Sequence, residues 1–391
     1  MKLLGHGLFV TTIAFALSPA QPALRWSGYA VNFPIVQRTH SPLARLLGVS
    51  ATQFVDVTRV RLRPSLGLWP DAFVMLEYEW NATYSSSPLL FQPSVSGIQG
   101  QIVDLHWSAV DGSRWNILHF IDRLYIRQTT EMLDVSVGRQ RISWGTGRVW
   151  NPTDLFNPIN PTSFAKVEKD GVDAASVRLI LGNFTDVTVV VNPRKSFRGA
   201  NYGVRARTNV GEYDLSVMGG AFDDGPVGGL DWAGNILDAG FRGEFLISGR
   251  GKKRAFSKFI LGFDNQFTSD LYGLVEYHYN GAGAVKKSEY DLGALVQGNI
   301  LNLGRQFLAL QTSFLIHPLV SATAGYTVSL TDGSGYVGGM LVYAITGDVS
   351  LALGGQMFYG DSFDEYWFYP SSLYCRIEAY FSGSDQTRSD P

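Results

Sequence analysis

The chain has 391 residues, of which 45% are hydrophobic, 13% aromatic and 17% charged, with 43 glycines and a single cysteine, Cys375. It is poorer in charge than the roughly 25% of a soluble pair of domains, too apolar for a disordered chain, and unable to build a disulfide framework. With 32 basic and 34 acidic residues it has no overall field for capturing nucleic acid, so no nucleic-acid partner is expected.

Residues 1–20 begin with Lys2, run through the apolar stretch LFVTTIAFAL at 8–17 and end in Ser18-Pro19-Ala20. This is the layout of a secretory signal, with cleavage expected after Ala20, and its apolar part is too short for a spanning helix of about 20 residues.

Beyond residue 20 the recurring pattern is alternation with a period of two, the mark of strands with one apolar and one polar face. Ala72, Val74, Leu76, Tyr78 and Trp80 oppose Phe73, Met75, Glu77 and Glu79; Tyr202, Val204, Ala206, Thr208 and Val210 oppose Gly203, Arg205, Arg207 and Asn209. Near the end, Leu373, Cys375, Ile377, Ala379 and Phe381 oppose Tyr374, Arg376, Glu378 and Tyr380. Strands are placed near 25–33, 53–63, 69–81, 114–129, 133–144, 172–182, 184–193, 201–210, 212–222, 227–234, 239–248, 257–267, 271–280, 304–315, 319–330, 336–346, 348–359 and 372–381. Many exceed the usual globular length of about 5 to 6 residues and suit a tilted bilayer crossing. Aromatics such as Trp80, Tyr213, Tyr277 and Phe381 end the apolar faces. Tight turns at 209–212, 268–270 and 347–348 alternate with long polar loops at 83–112, 145–171 and 281–302. The pattern predicts an all-β protein: a transmembrane, antiparallel, up-and-down β-barrel over 21–381, with eighteen strands, or sixteen as the fallback, and a polar, disordered tail over 382–391. The weakest strand, 227–234, is retained because it puts all long loops on one side.

The stretches WSGYAVNFP at 26–34, VGRQRISWGTGRVWNPTDLFNP at 137–158 and LGFDNQFTSDLYGLVEYHYNGAG at 261–283 resemble Gram-negative outer-membrane barrels of the porin type, close to the alginate-export-like and phosphate-selective-porin-like groups. The resemblance in layout covers essentially the whole mature chain and implies a channel in the cell outer membrane, in contact with lipid and lipopolysaccharide. The strand at 373–381 resembles the signal read by barrel-assembly machinery, although here SGSDQTRSDP follows it.

Candidate pore-lining residues are Arg59, Arg61 and Arg63 on one face, Arg123 and Arg127 flanking Tyr125, and Arg205 and Arg207. Arginine suits carboxylate, phosphate or sulfate groups, so such a lumen would favour anions. Glu77, Glu79, Glu212, Asp214 and Glu244 share lumen parity, and the alternative is cross-strand pairing that only shapes the wall. Alternation over Leu133, Val135 and Val137 puts Arg139 and Arg141 on the lipid face; either a bulge at Gly138 turns them inward or they form an outer collar. The Asn-Pro-rich loop that follows is stiff, and its apolar residues need burial. It is read as a constriction loop in the pore with Arg141, Arg148, Trp150, Asp154 and Phe156, or as a stiff external loop.

No Walker loop, zinc-type histidine pair or Gly-x-Ser-x-Gly elbow is present, and the Gly360-Asp361-Ser362 sequence has no following histidine. The chain is therefore expected not to be an enzyme and to need no cofactor or metal, with His278 a hydrogen-bonded wall residue. Two functions stay open. One is a passive channel for small polar or anionic solutes; the other is a surface-binding or polysaccharide-handling barrel without an open pore, using Phe91, Trp107, Tyr366 and Trp367 for sugar stacking.

Overall fold

The alternating strands close on themselves. The computed structural model describes residues 24–88, 101–156, 168–194, 199–223, 225–249, 255–296 and 300–385. Its strands are β1 (Leu24–Arg38), β2 (Thr52–Trp69), β3 (Ala72–Ser85), β4 (His106–Asp111), β5 (Trp115–Thr129), β6 (Leu133–Gln140), β7 (Val172–Ile180), β8 (Asp186–Asn192), β9 (Asn201–Val210), β10 (Tyr213–Phe222), β11 (Gly225–Ile236), β12 (Ala239–Ser248), β13 (Phe256–Gln266), β14 (Leu271–Asn280), β15 (Gln306–His317), β16 (Val320–Ser329), β17 (Gly335–Ala344), β18 (Val349–Tyr359) and β19 (Ser371–Asp385). Eighteen of them form the ring among the described residues. Each pairs antiparallel with its neighbour, β3 pairs with β5, and β19 returns to β1 from Leu24↔Asp385 to Arg38↔Ser371. Closure leaves no open edge, which a sheet in hydrocarbon requires.

The outward face is apolar because the pleat sends every second residue there. Val204, Val217, Leu261, Phe263, Leu353 and Ile377 are all exposed. Short turns such as Pro70–Asp71, Gly211–Glu212 and Leu237–Asp238 lie at one end with Leu24 and Asp385, and the long connections lie at the other. Among the latter is α1 (Ser41–Leu47), opened by Pro42 and closed by Gly48 at φ 68°.

The sequence pattern errs locally in five places. Strand β6 stops at Gln140 rather than 144, because Ile142 and Trp144 leave the wall to join an interior cluster. The connection 83–112 contains β4, which pairs with β5 from His106↔Phe120 to Asp111↔Asn116, beside the stretch where β6 has ended. Strand β19 runs through Asp385, past the expected boundary at 381, because Leu24–Ser27 offer it a pairing partner. Gly138 has φ 124°, yet Arg139 is not turned inward. It shares parity with exposed Val137 and pairs with Asp173, which alternates with interior Val172 and Ala174. There it is buried rather than collar-like, because Arg139 Nη2 donates to the Val103 carbonyl while the Ile102 and Val103 amides donate to Asp173. Finally, β5 carries an extra residue at Asp122, between the pairs Tyr78↔Ile121 and Glu77↔Arg123. This bulge lets Asp122 and Arg123 both face inward. Residues 1–20, Phe91, the Asn157-Pro158 and Asn160-Pro161 pairs and 386–391 lie outside the described residues.

Candidate functional site

The loop after β6 folds into the barrel and is held there by the wall. Its residues 141–156 pass along the interior from β7 to β15. Trp144 and Phe156 pack with Val172, Ala174, Val190, Met218, Phe222 and Leu246, and the Phe156 ring meets Phe222 edge-on at 4.7 Å. Val149 and Trp150 pack with Ile260, Phe307 and Ala309, and the Trp150 indole stacks on His278 at 5.3 Å. The apolar side chains that alternation cannot place outside thus find an interior to fill.

Two wall carboxylates fix the loop backbone. Glu244 on β12 accepts from the Thr146 amide (2.6 Å), the Gly147 amide (2.7 Å), the Thr153 amide (2.9 Å) and the Thr153 hydroxyl (2.7 Å). Glu276 on β14 accepts from the Arg148 (2.8 Å), Val149 (3.1 Å) and Trp150 (2.7 Å) amides. Both are buried. A carboxylate out of water needs its lone pairs filled, and these charge-assisted bonds fill them. Gly145, at φ 95°, permits the approach: a Cβ there would stand 2.6 Å from Glu244 Oε1. Sequence parity placed Glu244 in the lumen but gave no hint of this partner. Glu276 carries no distinguishing signal in the sequence; two residues on, His278 Nδ1 lies 3.2 Å from the Phe259 carbonyl.

The returning limb of the loop closes a charge cluster on the opposite wall. Arg59, Arg61, Arg63 and Arg123 meet Glu77, Glu79, Asp122 and Glu168, with Arg59 Nε 3.0 Å from Glu79, Arg61 Nε 3.1 Å from Glu77 and Arg123 Nη1 2.9 Å from Glu77. Arg61 also pairs with Asp122, and Arg63 with Glu168. Lys169 pairs with buried Asp154 and donates to the Ser143 hydroxyl at 3.1 Å, tying the two limbs together.

Other interior arginines are paired as well, and among them Arg127, Arg148, Arg178 and Arg207 keep their heads wet. Arg127 pairs with Asp134, Arg205 with Asp231 at 3.1 Å, and Arg242 with Asp264. Asp186 serves two guanidiniums, Arg178 at 2.9 Å and Arg207 at 3.0 Å, and Asp264 has Arg148 at 4.0 Å besides Arg242. Side-chain exposure is 55% for Arg148 and 39% for Arg207, against 9% for Asp186. Asp186 sits against the wall while Arg178 and Arg207 face the water. Arg141 is exposed, at the point where the chain leaves β6. Glu212 and Asp214 lie at the short turn between β9 and β10 rather than deep in the interior.

The long loops at the mouth are joined by a third buried carboxylate. Glu365 accepts from the Leu303 amide (2.8 Å), the Gly304 amide (2.7 Å) and Asn302 Nδ2 (3.2 Å), while its own amide donates to Asp332 (2.8 Å). Burial pushes the Glu365 carboxyl up to about 7 despite these donors. The same loop overturns the expectation of exposed sugar-stacking aromatics. Tyr366 and Trp367 are buried, with the Tyr366 ring 5.3 Å from Tyr336 and Trp367 stacked on His40. A short loop crowded with aromatics covers them with one another. Trp107 on β4 is exposed.

No family model matches the chain, and no curated protein matches it. Solved structures do. They include Acinetobacter baumannii OccAB3 (10% identity over 93% of this chain and 100% of that one, TM-score 0.58) and Pseudomonas aeruginosa OccK9 (OpdG) (9% identity, 93% and 98%, TM-score 0.59). A BenF-like porin from Pseudomonas fluorescens Pf-5 is similar at 10% identity over 93% and 99%, with TM-score 0.55. At such identities the likeness is one of fold: this chain has the architecture of porin-type barrels.

Proposed function

We propose that the chain is an outer-membrane channel for the passive passage of small polar or anionic solutes. The observation that carries the reading is the inward loop, anchored to Glu244 and Glu276, which narrows an otherwise wide barrel and leaves arginine heads at the water. An eighteen-strand barrel without such a loop encloses a broad aqueous lumen. In this reading Arg148 from the loop, with Arg178, Arg207 and Arg127 from the wall, sets an anion preference, and Trp150, Asp154 and Phe156 give the constriction its shape. The deeply paired Arg61, Arg123, Glu77 and Glu79 hold the wall. The resemblance of the 137–158 stretch to phosphate-selective and alginate-export barrels agrees with an anionic solute. Export through the inner membrane, contact with lipopolysaccharide at the long-loop rim and recognition of β19 by assembly machinery belong to the same reading, as does the absence of catalysis.

The test is planar-bilayer recording of the purified barrel. Discrete openings with anion preference at low salt are expected, fading as ionic strength rises. A silent barrel that binds glycan overturns the channel in favour of a surface-binding role.

A further inference from the structure

The outward face carries a groove that permeation does not use. Near the long-loop end, where β17, β18 and β19 meet β1 and β2, a depression of about 660 Å³ is bordered by Val36, Arg38, Thr52, Val337, Met357 and Leu373. Strand register explains it. Gly339 and Gly355 are directly paired, and both share the outward parity of the exposed residues Val337, Leu341, Leu353 and Met357. Two neighbouring strands therefore lack side chains at the same height, while the pairs Val337↔Met357 and Leu341↔Leu353 stand on either side. Leu373 leans over the floor, so that a Cβ on Gly355 would fall 2.7 Å from its Cδ2. Arg38, exposed and in outward parity with Val36, stands at the end of the groove, in register with Thr52 and Ser371.

We propose that this groove binds acyl chains of a phosphorylated glycolipid of the outer leaflet, with the lipid phosphate at Arg38. The lining is apolar except for its end, so in a lipid-facing wall it is filled by hydrocarbon rather than water. Its one charged residue is a cation whose fork of donors suits a phosphate. That cation sits at the long-loop end, at the height where the outer headgroups lie, and α1 begins three residues later, with Arg45 and Leu46 exposed. A second barrel seated here would bury a guanidinium against an apolar band, which is strongly unfavourable. The assignment rests on the outer-membrane reading above.

Native mass spectrometry of the full-length barrel in detergent tests it, with three probes: bisphosphorylated lipid A, the same lipid dephosphorylated, and phosphatidylglycerol. The wild type should retain bisphosphorylated lipid A in preference to the other two. Arg38→Gln should lose the preference for the phosphorylated form by about tenfold. Gly339→Leu fills the floor at a position where the added Cβ lies 3.2 Å from its nearest neighbour, the Thr323 carbonyl, and should weaken both forms. Equal retention by wild type and Gly339→Leu overturns the site, as does equal retention of phosphatidylglycerol and lipid A. A lipid-free dimer that Gly339→Leu dissolves also overturns it, in favour of a second copy. Should Gly339→Leu fail to show heat-modifiable migration, Arg38→Gln decides alone. Conductance of the same preparations separates the two proposals: a conducting barrel that retains no lipid removes the groove assignment only, and a silent barrel that retains it removes the channel only.

Discussion

Glu276 receives the Trp150 amide at 2.7 Å, and the Trp150 indole lies stacked on His278, two residues further along the same strand. Backbone and side chain of one loop residue are thus fixed by one short stretch of β14. Replacing Glu276 with alanine leaves three buried amides without an acceptor, a loss on the order of 2–5 kcal/mol. The expected result is a barrel that still assembles but has a larger, noisier conductance and new protease cleavage within 141–156. Unchanged conductance and protection would show that the carboxylate does not hold the loop.

Trp150→Ala removes the aromatic half of the same anchor. Losing a buried tryptophan costs about 3–5 kcal/mol, here charged to the loop rather than to the wall. Hydrogen exchange should quicken at Val149 and Thr153 while β13 and β14 stay protected. Uniform deprotection of the barrel would contradict this division.

Arg205 and Arg207, neighbours on one face of β9, should respond differently to charge reversal. Arg207 shares Asp186 with Arg178, so Arg207→Glu leaves that carboxylate a partner and should move the reversal potential toward cations at low salt. Arg205 pairs with buried Asp231, and Arg205→Glu should cost about 3–5 kcal/mol of stability. Denaturation midpoints with bilayer recordings of both variants check the contrast; a reversal potential unmoved by Arg207→Glu ends the anion reading.

Glu365 makes the mouth pH-dependent. Its carboxyl is raised from 4.5 to about 7, so the folded loops hold the proton more tightly than the unfolded chain does. Its contribution is therefore complete below about pH 4.5 and is lost as pH rises through 7, on the order of 3 kcal/mol. Asp332 is held below its usual range by the hydrogen bonds it accepts, although burial pushes the other way; its contribution is lost only as pH falls through its depressed value, outside this window. Protection of the Leu303 and Gly304 amides, measured against their intrinsic exchange rates at each pH, should be higher at pH 5 than at pH 8, and Glu365→Gln should flatten the difference. Equal protection at both pH values in the wild type would refute it.

On the lipid side, Val204→Arg should impair insertion by about 2–4 kcal/mol if the residue lies near the midplane. Folding yield into vesicles, read by heat-modifiable migration, measures it.

The wall was legible because a strand between oil and water must alternate, and even the weak 227–234 segment proved to be β11. The interior was less so. Ile142 and Trp144 keep the alternation after the chain has left the sheet, which hides the end of β6. Arg139 has the parity of a lipid-facing charge, and only the 101–105 segment, remote in sequence, explains its burial. Glu244 and Glu276 look like any lumen carboxylates, because their partners are amides, which every residue but proline carries, about 100 and 130 positions away in the chain.

That choice of partner has an evolutionary reach. Since Glu244 and Glu276 grip main-chain N–H groups at 146–150 and 153, with the Thr153 hydroxyl as their one side-chain donor, their hold on residue 148 is blind to the side chain displayed there. Substitutions at Arg148, whose side chain projects into water, can retune which solutes pass without redesigning the scaffold that holds it. The filter and its mounting can therefore diverge independently, so chains that share this barrel and its paired carboxylates need not share a cargo.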